Sequence, residues 1–427
     1  MQRRRFLQNL AVTSTAATLT GLSASAQAAT APKPTQLDPG RWSPLNSKRL
    51  QAVISANGVT SPGYKAGKKP YAVFDWDNSC IMNDCEEALL MYQINHLQYK
   101  LTPEEFAVIL RQDVPNGPFK SELGYTTVDK KPVNMEDIAA DVEADYRWLH
   151  ANYKGLAGDK SLEDIQQTEQ FKDFRVKLHF MYNAICDSHP IEIGYKLIIY
   201  LYANMTKQEL QAMAQASNNF DLGDALRKVR YESSRTMPGK AGVVADTHFH
   251  GIRIHEEMRG LMHTLRANGI DVYVSTASID DVVRVFAGHP DYGYGVPEEN
   301  VIGLRLTMKD GKYTNQYAEG WHFNWGPGKT VGIRNVLASK KGYGPILVVG
   351  DSDGDAWMLR DFKDTAVGII VNRMKPGEIG LDSQKAAAVL GTPDARFILQ
   401  GRNEQTGLMY PDEKSLKYGK TELKLLA

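Results

Sequence analysis

The chain has 427 residues, 42% hydrophobic and 23% charged, with 50 basic and 50 acidic side chains in balance. Its length suits one large domain with an insertion, or two to three domains, and its composition is ordinary for a globular protein. The even charge excludes a general affinity for nucleic acid, and no apolar run reaches the roughly 18 residues of a membrane span.

The first residues, MQRRRFLQ, lead into the mild apolar stretch LAVTSTAATLTGL and then the small-residue sites Ala24-Ser25-Ala26 and Ala26-Gln27-Ala28. With Phe6 and Leu7 after the arginines, residues 1–28 read as a twin-arginine export signal. Losing Arg3, Arg4 and Arg5 leaves 47 basic against 50 acidic residues, a net of −3. The expected partner is the twin-arginine export machinery, and the expected location is the periplasm or outside the cell. No cysteine follows the signal to carry a lipid, so no membrane anchor is expected in the mature form. Cys80, Cys85 and Cys186 are an odd set without a C-x-x-C pair, which excludes a disulfide scaffold and argues against a zinc site.

After a Pro-rich leader (29–41), Ser43-Pro44 predicts a helix start, with Ser as cap and Pro in the first turn, running to about Ala56. Short apolar runs predict buried strands at Tyr71–Phe74, Val272–Thr276, Asn300–Leu304, Ile346–Val349 and Ala366–Val371. A helix is expected over Glu256–Ala267, stopped by Asn268-Gly269, and another starts with Ser278 as its N-cap. Strands alternating with helices predict an α/β fold with a Rossmann-like parallel sheet. Residues 85–250 carry helical periodicity and no strong strand, so they are expected to form a helical cap inserted after the first strand. The core would then comprise 29–84 and 251–427, with a turn-rich tail from Phe397 packing back onto the sheet.

Ligands of an open parallel sheet bind beyond the carboxyl ends of its strands. Asp75 and Asp77 follow the first predicted strand in VFDWDNS; Ser275, Thr276 and Ser278 follow the second; Asp351, Asp353 and Asp355 follow the fourth in GDSDGD; and Lys329 opens a helix in WGPGKT. These side chains converge on one rim. Two alternative motifs fail. A Walker loop would need Gly where Phe323 stands, and a calcium loop would need Gly at its sixth position, whereas Gly354 is at the fourth and Phe362 replaces the terminal Glu. His248, His250 and His255 could suggest zinc, but no acidic or thiol partner has a matching spacing, and packing roles are expected.

In this arrangement the chain resembles the haloacid dehalogenase superfamily of phosphatases. The D-x-D-x-T/S loop is matched by Asp75-Trp76-Asp77-Asn78-Ser79, the strand-end hydroxyl by Thr276, the lysine by Lys329 and the G-D-x-x-x-D loop by Gly350-Asp351 and Asp355. The insertion resembles the C1 cap of the phosphoserine phosphatase branch. The resemblance implies a phosphoric monoester hydrolase in which Asp75 is the nucleophile, forming an aspartyl-phosphate, and Asp77 the acid and base. It implies that Ser79, Thr276 and Lys329 bind phosphate, with Ser275 the alternative to Thr276. It also implies Mg²⁺ held by Asp75, Asp351 and the Asp77 carbonyl, with Asp355 in support. Asp84 stands where that branch binds substrate, although with Glu87 it could equally be a helix cap. The expected substrate is a small phosphorylated alcohol of the phosphocholine kind. Trp76 with Asp84, and Tyr92, Tyr146 and Trp148, would supply the carboxylate and aromatic faces that a cationic head group prefers. The alternatives are a broad-specificity acid phosphatase or phosphotransferase, and a non-catalytic protein that binds a phosphate ligand.

Overall fold

The computed structural model describes residues 34–393 and 395–427, and the export signal expected over 1–28 lies outside them. Its centre is a six-stranded sheet: β1 (Tyr71–Phe74), β4 (Asp271–Ile279), β5 (Val301–Leu304), β6 (Leu347–Gly350), β7 (Val367–Val371) and β8 (Phe397–Gln400). The order is β8-β7-β6-β1-β4-β5 and every neighbouring pair is parallel. Most of these strands are buried along their whole length, which explains their near-continuous apolar runs. Side chains alternate between two cores. Ala72, Phe74, Val272, Leu347 and Val349 face one, while Tyr71, Val73, Val348, Ile370 and Leu399 face the other. The sheet is thus a middle layer, and strand order reverses at β1, opening a crevice beyond its carboxyl end.

Helix α1 (Pro44–Asn57) begins at Ser43, whose hydroxyl accepts from the Asn46 amide, and Pro44 occupies the first turn. Seven helices over residues 85–223 include α2 (Cys85–His96), α3 (Pro103–Arg111), α4 (Met135–Asn152), α5 (Glu169–Ser188), α6 (Ile191–Tyr200) and α7 (Lys207–Gly223). Capping boxes at Thr102/Glu105 and Thr206/Glu209 start α3 and α7. Within 85–250 the chain also forms an antiparallel ribbon, β2 (Arg227–Glu232) with β3 (Ala245–His250), where no strand was expected. RKVRYE and ADTHFH are only partly buried, so their pairing is carried by backbone hydrogen bonds rather than an apolar run.

Ile81–Met82 pairs antiparallel with Arg253–Ile254, joining the two points where the chain leaves and re-enters the sheet. Helix α8 (Glu256–Ala267) ends at Asn268, with Gly269 left-handed. The tail forms a four-stranded sheet of short strands: β9 (Arg402–Asn403), β10 (Leu408–Met409), β11 (Ser415–Leu416) and β12 (Leu423–Lys424). Cys80, Cys85 and Cys186 are free thiols. Among the described residues, no helix is long and apolar enough to cross a membrane.

Candidate active site

Asp75 follows β1 directly, and its amide still donates to Val349 O of β6 at 2.9 Å, so the sheet itself fixes where its carboxyl points. The next residues turn back in a tight loop. Asn78 is left-handed, at φ 62°, its amide donates to Asn83 O, and the Cys80 thiol donates to Asp75 O at 3.1 Å. Asp77 ends between two donors: Oδ1 accepts from the Cys85 amide at 2.8 Å and Oδ2 from the Ser278 hydroxyl at 2.8 Å. Burial pushes the Asp77 carboxyl up, against the Cys85 amide and the Ser278 hydroxyl.

The loop after β6 supplies the second group. A Cβ on Gly350 would come within 2.4 Å of Asp355 Cβ, so only glycine lets this turn close. Asp355 Oδ2 accepts from the amides of Asp351 and Ser352, at 2.9 and 3.1 Å, and from the Ser352 hydroxyl, while Oδ1 accepts from Lys329 Nζ at 2.7 Å. Lys329 enters on the short helix Pro327–Ile333, whose preceding Gly326 amide donates to Gly354 O. Its Nζ also donates to Asp75 Oδ1 at 2.6 Å. Burial alone would push Lys329 down, but Asp355 and Asp75 outweigh it and hold the ammonium above its ordinary range. Burial and the neighbouring Asp355 push Asp75 well up, only partly offset by Lys329.

Asp351 takes the Arg373 guanidinium at 2.6 Å on Oδ2 and the Ser79 hydroxyl at 3.1 Å on Oδ1. Burial would raise its carboxyl, yet Arg373 outweighs burial and holds it low. Carboxylate oxygens of Asp75, Asp351 and Asp355 lie within 4.8 Å of one another, all buried. Among the described residues, the three carboxylates make direct ion pairs with Lys329 and Arg373, and this oxygen-only donor set fits a hard divalent ion.

These groups open on a cavity of about 380 Å³, also lined by Asp84, Glu86, Glu87, Tyr182, Tyr195, Ser278, Trp325, Arg373 and Lys375. Burial, with the nearby Asp77 charge, pushes Glu86 up to about 8, and its carboxyl accepts from the Ile279 amide.

No protein-family model matches the sequence. Over 359 residues the chain is 26% identical to phosphorylcholine phosphatase of Pseudomonas aeruginosa, covering 78% of this chain and 80% of that one. A conserved, functionally unknown protein from Anaerococcus prevotii superposes with a TM-score of 0.83 at 32% identity, over 89% of this chain and 98% of its own. Four motif loops gathered in order at one sheet edge, together with the likeness to a named phosphatase, make the chain similar to the haloacid dehalogenase phosphatases.

Within this site, Asp75, Asp77, Lys329, Asp351 and Asp355 come together. Other expectations need correction. Ser79 does not line the cavity; its loop turns it underneath, where it orients Asp351. Thr276 is buried behind the cavity, its hydroxyl 3.4 Å from Asp77 Oδ2, while Ser275 is turned to Asn324. Ser278 is not a helix cap: α9 (Asp280–Gly288) starts after Ile279 with no side-chain cap, and the Ser278 hydroxyl serves Asp77. A register shift in β4 between Ser275 and Ile279 lifts this segment out of the ladder and frees its hydroxyls. Trp76 is fully buried between Phe286 and Tyr294, because the residue between two inward aspartates must point away from them. Tyr146 packs with Tyr99, Phe106 and Phe174, Tyr92 stacks on His96, and Trp148 carries Lys160, so none of the three reaches the cavity. Asp84 caps α2 through the Glu86 and Glu87 amides and also lines the cavity. Asp353 also lines the cavity and accepts from the Ile379 amide. Sequence reading missed Arg373, Lys375, Tyr182, Tyr195 and Trp325. His248 packs against both His179 and His250, and His255 Nδ1 donates to Ser79 O at 2.9 Å.

Proposed function

We propose that the protein is an exported, Mg²⁺-dependent phosphomonoesterase acting on a small phosphorylated alcohol with a cationic head, of the phosphocholine class. The observation that carries this reading is the pairing of Asp75, bound to Lys329, with Asp77, bound to Ser278, at the floor of one cavity. Asp75 Oδ attacks phosphorus, and the P–O bond to the alcohol breaks, leaving an aspartyl-phosphate. Asp77, whose carboxyl is raised by burial, gives its proton to the departing alkoxide and then takes one from the water that cleaves the acyl-phosphate. Lys329 holds the transferring oxygens, and Asp355 holds Lys329. Asp75, Asp351 and the Asp77 carbonyl would hold Mg²⁺, which offsets the repulsion between an anionic nucleophile and an anionic substrate.

The cavity lining supports the cationic head: Asp84, Glu86 and Glu87 line the same cavity as Tyr182, Tyr195 and Trp325, a combination of acidic and aromatic side chains suited to a quaternary ammonium. The relative from Pseudomonas aeruginosa, a phosphorylcholine phosphatase, agrees with it. The twin-arginine pattern of residues 1–28 supports the reading of export to the periplasm or outside the cell.

The test is phosphate release from phosphocholine, phosphoserine and p-nitrophenyl phosphate, with Mg²⁺ and with EDTA, beside Asp75→Asn. Turnover that needs Mg²⁺, prefers phosphocholine and disappears in the variant is expected. Folded, Mg²⁺-supplied protein that releases phosphate from none of the three would overturn the reading.

A further inference from the structure

We propose that Arg402, far along the tail, is a positioning residue for the nucleophile loop, a role that rests on the phosphatase reading above. Arg402 is 2% exposed and reaches back 324 residues: its Nη1 donates to Asn78 O and to Asn78 Oδ1, both at 3.2 Å. Its Nη2 donates to Glu404 Oε1 at 2.9 Å, and its amide donates to the Ser415 hydroxyl. Glu404 in turn accepts from Lys417 and from the Tyr418 amide, so the guanidinium is braced by the small tail sheet.

The residue it grips is the one on which the loop turns. Asn78 follows Asp77 and holds a left-handed φ of 62°, a conformation that Asn adopts more readily than other non-glycine residues, so the loop turns here. One nitrogen bonding both the backbone and side-chain oxygens of Asn78 restrains its ψ and χ1 together. That restraint fixes the Asn78–Ser79 peptide directly after Asp77 and so braces the turn that follows the Asp75 and Asp77 pair. A tail needing only an anchor would be served by Glu404, Lys417 and Ser415; a buried guanidinium is expensive in desolvation and is justified by the fork it supplies. Burial, with Arg373 nearby, pushes Arg402 down to about 10, which still leaves it charged at neutral pH. Lysine has no fork and cannot serve Glu404 and both Asn78 oxygens.

The test compares wild type with Arg402→Lys, Asn78→Gly, their double variant and the control Gln405→Ala on the exposed tail, by amide hydrogen exchange and steady-state kinetics on p-nitrophenyl phosphate. In Arg402→Lys, exchange over residues 74–84 should quicken at least fivefold while 367–371 is unchanged. Its kcat should fall at least tenfold with KM moving less than threefold. Asn78→Gly should reproduce the kcat loss, and the double variant should be no worse than the worse single, the signature of one shared interaction. Gln405→Ala should match wild type. Faster exchange confined to 402–424, or additive losses in the double variant, would overturn the proposal and make Arg402 a tail anchor. Should Arg402→Lys not fold, Asn78→Gly decides alone: wild-type exchange over 74–84 and wild-type kcat would overturn the proposal. If the wild type turns over no phosphate ester, the phosphatase reading fails, while exchange over 74–84 still decides the positioning claim.

Discussion

Lys329→Met keeps the length of the side chain and removes its charge, which sets Asp75 and Asp355 against each other. Lys329 makes two charge-assisted bonds, 2.6 Å to Asp75 and 2.7 Å to Asp355, inside a site where all three groups are buried. Deleting one partner of such an arrangement costs about 3–5 kcal/mol, because the charge left behind has neither water nor a counter-ion. Asp355 keeps its bonds from the Asp351 amide, the Ser352 amide and the Ser352 hydroxyl, so most of the penalty falls on Asp75. Asp75 is already held well above the ordinary carboxylate range by burial and by Asp355, and without the lysine it rises further and takes a proton. A carboxyl whose folded-state pKa is raised contributes stability below its unfolded value, near 4, and loses it as pH rises through the folded one. The destabilisation should therefore be small at pH 5 and reach about 3–5 kcal/mol at pH 8, read from urea unfolding followed by tryptophan fluorescence in EDTA. A neutral Asp75 is also no nucleophile, and kcat should fall by about 10²–10³ or more. A loss within 1 kcal/mol at pH 8, or a larger loss at pH 5 than at pH 8, would refute the argument.

Ser278→Ala removes a hydroxyl that holds the Asp77 carboxylate, so Asp77 should rise further and the basic limb of the kcat/KM profile, where the protonated acid is lost, should move to higher pH, visible in a pH–rate series. Tyr182→Leu and Tyr195→Leu should lower kcat/KM for phosphocholine by about 3- to 30-fold, on the scale of one cation–π contact, while leaving p-nitrophenyl phosphate nearly unchanged in parallel assays. His255 is pushed down to about 4 by burial, so the stability it contributes is present above pH 6.5 and lost as pH falls through 4. Acid unfolding of His255→Gln should lose roughly 3 kcal/mol less between those limits. Removing Mg²⁺ with EDTA should abolish turnover and lower the melting temperature, and restoring it at about 100 times its dissociation constant should return about 2.7 kcal/mol, seen by scanning calorimetry.

Five of the six strands were legible because they are buried on both faces and therefore appear as short apolar runs; their observed bounds differ by a residue or two except in β4, which runs on to Ile279, whereas β8 (Phe397–Gln400) stands where a turn-rich tail was expected. The ribbon from Arg227 to His250 was not legible, since its residues are mostly polar and half-exposed. In the site, the residues at strand ends were readable from position alone. Ser278 was misread because a Ser three residues before an Asp looks the same whether its hydroxyl caps a helix or turns to a neighbouring carboxylate. Arg373 gives no local signal in VNRMKPG; only the parallel pairing of β6 with β7 brings it to Asp351. Tyr182 and Tyr195 sit on α5 and α6, more than 100 residues from Asp75, and their approach depends on how those helices fold over the sheet.

The chain passes from the sheet into the helices beside Ile81 and Met82 and returns beside Arg253 and Ile254, and these two passages are hydrogen-bonded to each other. Asn83 Nδ2 adds a bond to Gly251 O, and the His255 amide reaches Cys80 O. A pair of strands stitched edge to edge behaves like a strap hinge: it bends across its flat face and resists shear and twist. Any rocking of the helices over the sheet is thereby confined to one axis, so Tyr182, Tyr195 and the α2 carboxylates must swing as a single leaf. Because the hinge pin lies four residues past Asp77, a leaf that swung open would, on the proposed mechanism, also tug on the residue assigned to protonate the leaving alcohol.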